Sequence, residues 1–402
     1  MSLNDTVSAE RLHIGFFGMR NAGKSSIVNA VTGQQLSVVS DVKGTTTDPV
    51  KKAMELLPLG PVVIIDTPGL DDEGELGMLR VQKARQILTQ TDIAVLVTDV
   101  TIGLSAADNE LINIFKERKT PYIIVYNKSD LIFERREVSE NELYASAVTG
   151  EGINELKEAL GSFAQKCKNS KLLVSDLLKP QDIVVLVTPI DESAPKGRLI
   201  LPQQLTIRDI LDANGIVVTC RETELANTLS SLARKPAMVI TDSQAFGKVS
   251  AETPENIPLT SFSILMARYK GDLVELVRGA AALCKLRDGD KVLISEGCTH
   301  HRQCNDIGTV KLPRWIKEYT GVVPEFSFTS GGEFPDASSL SHYSLVVHCG
   351  GCMLNEAEMK SRIERCASAG VPIVNYGIAI AQMHGILERS LGLFPDVLAL
   401  LK

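Results

Sequence analysis

Apolar residues in this chain gather into short runs, separated by longer stretches in which they recur at helical spacing. His13–Phe17, Pro61–Ile65, Ile93–Thr98 and Tyr122–Tyr126 are continuous runs, while Leu76–Leu88 and Asn109–Arg118 between them are amphipathic. Unbroken runs of this length fit strands covered on both faces, as in a parallel sheet with crossover helices. The rhythm returns after the polar stretch Lys166–Lys171. Strands are expected at Asp182–Thr188, Ile216–Thr219, Ala237–Thr241 and Ser261–Met266, with helices at Ile207–Ala213 and Glu222–Leu232. A third series begins near Lys270. It has strands at Lys291–Ser295, Ser344–His348 and Pro372–Asn375, and helices at Asn355–Ser368 and Ala379–Leu391. The expectation is an α/β chain of three domains, at residues 1–168, 169–269 and 270–402.

A chain of 402 residues with 44% hydrophobic content can build several cores, and it exceeds one ordinary domain. The formal net charge of -7 argues against a non-specific nucleic-acid binder. Met1–Arg11 is polar and lacks the apolar stretch of a secretory signal, and no apolar run approaches a membrane span. The chain therefore reads as soluble and cytoplasmic, with neither nucleic acid nor membrane as partner. Eight scattered cysteines do not make a disulfide framework. Cys167, Cys220, Cys284 and Cys366 stand alone and are expected to be small buried apolar residues. The middle segment holds no nucleotide loop, ligand cluster or catalytic constellation. It reads as a structural or self-association domain with a sheet edge for a second copy to cover.

The strongest chemical signal lies near the start. Gly18-Met19-Arg20-Asn21-Ala22-Gly23-Lys24-Ser25 is a complete phosphate-binding loop between a strand and a helix. Backbone N–H groups of Asn21, Ala22, Gly23, Lys24, Ser25 and Ser26 are expected to curl around phosphates. Lys24 would reach the β and γ oxygens, and Ser25 would offer its hydroxyl to Mg²⁺. Asp66-Thr67-Pro68-Gly69 follows the next clear strand; Asp66 would hold Mg²⁺ through water and the Gly69 N–H would meet the γ-phosphate. Asn127-Lys128-Ser129-Asp130 ends another strand, and Asp130 can accept two hydrogen bonds from the guanine N1 and N2 groups. Ser146-Ala147 stands where a backbone N–H would read guanine O6. Four motifs in this order specify GTP and GDP with Mg²⁺.

A second cluster of chemistry lies near the other end, as Cys298-Thr299-His300 and His348-Cys349-Gly350-Gly351-Cys352. Both follow expected strands, and ligands in open α/β sheets gather beyond the carboxyl ends of strands. Cys349 and Cys352 can share one metal or cluster, and Cys298 adds a third thiolate. His300 and His348 are possible fourth or nearby ligands. Zinc would favour four closed ligands, whereas a [4Fe–4S] cluster on three cysteines leaves one iron with a weak ligand. A redox dithiol is the rival use of Cys349 and Cys352, and in a metal-free state the two have the spacing for a disulfide. Cys304 reads as a spare thiol, His301 as a peripheral residue and Glu296 as a solvated surface carboxylate.

Two resemblances extend these readings. Leu70 stands where Ras-like proteins carry the water-orienting glutamine. Asn21 and Gly44-Thr45-Thr46-Thr47-Asp48 resemble the potassium-activated GTPases related to the tRNA-modifying protein MnmE. That likeness implies Thr46 as the switch threonine on Mg²⁺ and Asn21 as a K⁺ ligand. It thus makes Lys24, Thr46 and Gly69 the catalytic set. As a whole, the chain resembles the [FeFe]-hydrogenase maturation GTPases (HydF), with Cys-x-His, a 47-residue spacer and His-Cys-x-x-Cys in its third segment. The resemblance implies a [4Fe–4S] cluster on Cys298, Cys349 and Cys352, and a scaffold that takes a di-iron precursor from radical-SAM partners. The scaffold would deliver it to apo-hydrogenase and associate through the middle domain as a homodimer or higher homo-oligomer. The competing reading is an Era- or MnmE-type RNA- or ribosome-associated GTPase with a zinc-stabilised tail. That tail should be basic, yet residues 270–402 hold 14 Lys and Arg against 15 Asp and Glu.

Hydrolysis of GTP should be slow and faster in K⁺ than in Na⁺, because Leu70 cannot orient water and Asn21 is placed to bind a monovalent ion. Phosphate-release assays in the two salts check this, and equal rates would count against it.

Overall fold

The computed structural model describes residues 8–34, 50–67, 84–169, 173–189, 199–297 and 306–401. The chain forms two compact units. The first runs to Ser170 and also takes in Asn355–Glu358, and the second comprises the remainder from Lys171.

The first unit is a six-stranded sheet built from β1 (Leu12–Phe17), β2 (Val50–Leu56), β3 (Gly60–Asp66), β4 (Ile93–Asp99), β5 (Tyr122–Asn127) and β6 (Glu142–Tyr144). The order is β2-β3-β1-β4-β5-β6, with β2 antiparallel to β3 and every other pair parallel. Alternate residues of β4 feed two cores. Ile93, Val95 and Val97 join Ile14, Phe16 and Val125 on one face. Ala94 and Leu96 join Phe17, Ile65 and Phe115 on the other. A strand covered on both faces needs apolar residues at every position, and that explains why this run shows no alternation. Helices Lys24–Thr32, Ala106–Glu117 and Ile153–Asn169 belong to the same unit. Ser105 starts the second of these with a capping box, its hydroxyl accepting from the Asp108 N–H while the Asp108 carboxylate accepts in return.

The second unit holds two four-stranded parallel sheets. In one, β7 (Ile183–Val187), β8 (Ile216–Cys220), β9 (Met238–Thr241) and β10 (Leu259–Ser261) run in the order β10-β9-β7-β8. In the other, β11 (Lys291–Glu296), β12 (Glu325–Ser330), β13 (Leu345–His348) and β14 (Ile373–Asn375) run in the order β12-β11-β13-β14. One continuous apolar core serves both sheets, with Leu186 and Ile240 from one and Ile294 and Val346 from the other. Helix Leu273–Leu283 lies against β14, and Gly279 is the point of closest approach: a Cβ there would stand 1.9 Å from the Ile373 carbonyl oxygen.

Several expectations are corrected. Ser261–Met266 is not a strand: β10 ends at Ser261, whose hydroxyl caps helix Phe262–Lys270 by accepting from the Ile264 N–H. The alternation of Ser and apolar residues there imitated a strand, whereas Ser261 is the helix N-cap. Ala379–Leu391 breaks into helix Tyr376–Met383 and the single turn Leu387–Ser390, separated at Gly385. Leu76–Leu88 lies largely outside the described residues, of which 84–88 are helical. Among the lone cysteines Cys366 is buried as expected, but Cys220 is half-buried and Cys284 is exposed, 3.3 Å from the Tyr319 hydroxyl. Among the described residues no helix is long and apolar enough to cross a membrane.

Replacing Gly279 with Val should force helix Leu273–Leu283 off β14 and destabilise the second unit by about 1–3 kcal/mol, the usual cost of overpacking. Trp315, the single tryptophan, lies in that unit and reports its unfolding in urea. An unchanged fluorescence midpoint would contradict this packing.

Candidate functional sites

In the first unit, the carboxyl ends of β1, β3, β4 and β5 carry the motif residues. The chain leaves β1 into residues 18–23 and enters helix Lys24–Thr32. Asn21 (φ 63°) and Gly23 (φ 83°) both take left-handed backbone, the local shape that turns successive N–H groups toward an anion. Only glycine fits at 23, because a Cβ would come within 2.1 Å of Asn127 Nδ2. That amide donates to the Ala22 carbonyl at 2.9 Å, while Asn127 Oδ1 accepts from the Ala147 N–H at 3.2 Å. One buried side chain thus joins three of the four motifs. Ser146 donates to Asp130 Oδ1 at 2.5 Å, which orders the exposed carboxylate expected to read guanine.

Lys24 is buried, and burial holds its ammonium below the ordinary lysine range, with Asp66 partly opposing that effect. Its Nζ lies 3.8 Å from Asp66 Oδ1, and the Ser25 hydroxyl donates to Asp66 Oδ2 at 3.2 Å. Among the described residues, the buried Asp66 Oδ1 has no hydrogen-bond partner. A buried carboxylate oxygen in that state, beside a serine hydroxyl, is a donor set that suits a divalent cation. Thr46, Gly69 and Leu70 lie outside the described residues. Sequence reading overlooked Asp99 and Glu151. Asp99 ends β4 and meets Lys128 Nζ at 2.5 Å. Burial pushes its carboxyl up, but hydrogen bonds from Lys128 and Thr101 outweigh that and hold it low. Glu151 accepts from the Ser129 hydroxyl at 3.0 Å and pairs with Arg135 at 2.8 Å. The signal for Asp99 was a carboxylate directly ending a buried strand; Glu151, in a turn, offered none.

In the second unit, β11 and β13 end side by side. Ser295 pairs with His348, and the Cys349 N–H donates to the Ser295 carbonyl at 2.9 Å. Cys349 Sγ accepts from the Gly297 N–H at 3.0 Å and the Gly351 N–H at 3.4 Å. Cys349 and Cys352 are half-buried free thiols, and the disulfide for which they have the spacing is not formed. Burial pushes Cys349 up to about 11 against those two N–H groups, and pushes Cys352 up against nearby Lys270. Cys298, His300, His301 and Cys304 lie outside the described residues, although Gly297 brings the chain onto the Cys349 sulfur immediately before Cys298. Among the described residues no group of three His, Cys, Asp or Glu could hold a metal ion. Two free thiols three residues apart, with N–H groups already on one sulfur, nevertheless fit a metal–thiolate loop.

His348 is fully buried and both ring nitrogens are engaged. Nδ1 lies 2.7 Å from the Cys349 carbonyl, and Nε2 lies 3.0 Å from Arg362 Nη1. The guanidinium can only donate, so Nε2 accepts and Nδ1 carries the proton. Burial and then Arg362 push its pKa down to about 3, which keeps the ring neutral. Glu296 is not the solvated carboxylate expected: it is buried and accepts from the Tyr376 hydroxyl at 3.3 Å.

Comparison with known proteins finds three matching family models. Residues 13–128 match the 50S ribosome-binding GTPase model, 173–271 the hydrogen maturase F dimerization domain and 274–393 the hydrogen maturase F tetramerization domain. The first segment is thus a GTPase domain, and the other two carry assembly domains of one protein family. GTPase Der of Kosmotoga olearia is 34% identical over 39% of this chain and 40% of its own length. The tRNA modification GTPase MnmE is 33% identical in Laribacter hongkongensis over 38% of the chain and 34% of that protein. Its counterpart in Desulforamulus reducens is 37% identical over 30% of the chain and 26% of that protein. The chain spans less than half the length of each of these relatives.

Asn127→Ala should release both the Ala22 carbonyl and the Ala147 N–H. At about 1 kcal/mol for each hydrogen bond, guanine-nucleotide affinity should fall roughly 30-fold. Titration with a fluorescent GDP analogue measures it, and an unchanged Kd would show that this side chain does not organise the site.

Proposed function

Because this chain belongs to the hydrogen maturase F family, and is a GTPase of hydrogenase maturation, we propose that it serves as a scaffold. In this reading it holds a [4Fe–4S] cluster on Cys298, Cys349 and Cys352 and carries a di-iron precursor, its cargo, from radical-SAM maturases to apo-[FeFe]-hydrogenase. The observation that carries the reading is the meeting of β11 and β13, where the residue before Cys298 donates to the Cys349 sulfur. A bound cluster would supply an open iron site for a bridging ligand of the cargo. The chain's own residues do the rest. Gly297 and Gly351 N–H groups stabilise the Cys349 thiolate, and the ends of β11 and β13 fix its direction.

In the GTPase domain, Lys24 would meet the β- and γ-phosphate oxygens, with Ser25, Thr46 and Asp66 around Mg²⁺ and Asn21 on K⁺. Exchange of the Asp66 partner from Lys24 to a hydrated cation would free the ammonium for phosphate. Asp130, Ser146 and Ala147 would select guanine, steadied by Asn127. The dimerization and tetramerization domains support self-association, for which β8 offers an edge with Ile216 43% exposed.

Anaerobic reconstitution with iron and sulfide, followed by EPR of the reduced protein, tests the scaffold reading. Wild type should show a [4Fe–4S] signal, and Cys298→Ser, Cys349→Ser and Cys352→Ser should each lose most of it while GTP hydrolysis persists. A full cluster in Cys298→Ser, or zinc without cluster in wild type, would overturn the ligand set.

A further inference from the structure

Two buried cations stand behind the cysteine loop, one for each sulfur-bearing residue. Lys270, the last residue of helix Phe262–Lys270, is 2% exposed and donates to the carbonyls of Leu354 at 3.1 Å and Cys352 at 3.5 Å. Arg362, on helix Glu356–Ser368, is fully buried. It donates to the Gly331 carbonyl at 2.7 Å and to His348 Nε2 at 3.0 Å, and it lies over the Phe334 ring at 5.1 Å. His348 passes the hold onward, since its Nδ1–H donates to the Cys349 carbonyl at 2.7 Å. Each cysteine's backbone is therefore fixed by a cation, directly at Cys352 and through one neutral imidazole at Cys349.

We propose that Lys270 and Arg362 are a matched pair of positioning residues that hold the Cys349–Cys352 loop and raise the reduction potential of the cluster bound there. The inference rests on the cluster reading above. A cluster carried by thiolates is anionic, and one-electron reduction adds a further negative charge. Fixed positive charge in a low-dielectric surrounding favours the reduced form more than the oxidised one. The same geometry gives His348 a different duty from ligation: with Nε2 accepting from Arg362 and Nδ1 donating to Cys349, the ring has no lone pair left for iron. It also links the two assembly segments, because Lys270 comes from the segment that matches the dimerization domain and the loop from the one that matches the tetramerization domain.

The experiment is an EPR-monitored redox titration of the reconstituted full-length protein and of Lys270→Met, Arg362→Met and Arg362→Lys. Both methionine variants should shift the midpoint to more negative potential, by at least tenfold in the reduction equilibrium, or about 59 mV for one electron. Arg362→Lys should recover much of the shift, which a purely steric role would not allow. His348→Ala should keep most of its iron. Should Arg362→Met not fold, as judged by Trp315 fluorescence, Lys270→Met decides the matter from the opposite side of the loop. A cluster in every variant with the wild-type potential would overturn this inference and leave the cluster reading intact. Absence of any cluster from wild type would overturn both.

Discussion

Parallel strands that pair in register end on the same side, and the chemistry of both units depends on that alignment. In the first unit Phe16 pairs with Asp66 and Asp99 with Asn127, so the residues that follow β1, β3, β4 and β5 share one edge of the sheet. In the second, Ser295 pairs with His348, and residues separated by about fifty positions in sequence emerge side by side. A slip of one residue between β11 and β13 would turn His348 out of the core and break its tie to Arg362. In the observed register Leu293, Ile294, Val346 and Val347 are all buried together.

Both sites share a second feature: polar side chains drawn out of water and held by a small number of directed partners. Asn127 has one acceptor and one donor partner, and His348 has one of each. Loss of a partner from such a group costs more than the hydrogen bond itself, since the group left behind stays desolvated. Both side chains are therefore held in place by partners that are costly to remove. Asp66 differs: among the described residues one of its buried oxygens accepts no hydrogen bond and faces only the Lys24 ammonium at 3.8 Å, and it is the carboxylate proposed to face Mg²⁺.

Much of this was legible in the sequence. The phosphate loop and Asn127–Asp130 were found because short motifs of fixed spacing sit at the ends of unbroken apolar runs. The Cys and His clusters stood out for the same reason. Other features left no such trace. β12, reading Glu325-Phe326-Ser327-Phe328-Thr329-Ser330, lies half-exposed at a sheet edge, and its mixed composition resembles a loop. The strand expected at Ser261–Met266 failed because a helix cap and a strand start are both written with serine before apolar residues. The roles of Lys270 and Arg362 could not be read at all: each lies on a helix whose register buries a charge beside a loop distant in sequence, and only tertiary packing reveals it. The family resemblance rested on the order of all these motifs, and the matches to the dimerization and tetramerization domains bear it out.

The central claim is that the ends of β11 and β13 form an iron–sulfur site. Diffraction from crystals of the anaerobically reconstituted protein, recorded on both sides of the iron absorption edge, tests it most directly. An anomalous iron peak within bonding distance of the Cys349 and Cys352 sulfurs, with the Nε2 of His348 still on Arg362, is the predicted result. A zinc peak in that position, or iron bound to His348 in place of a cysteine, would contradict the account.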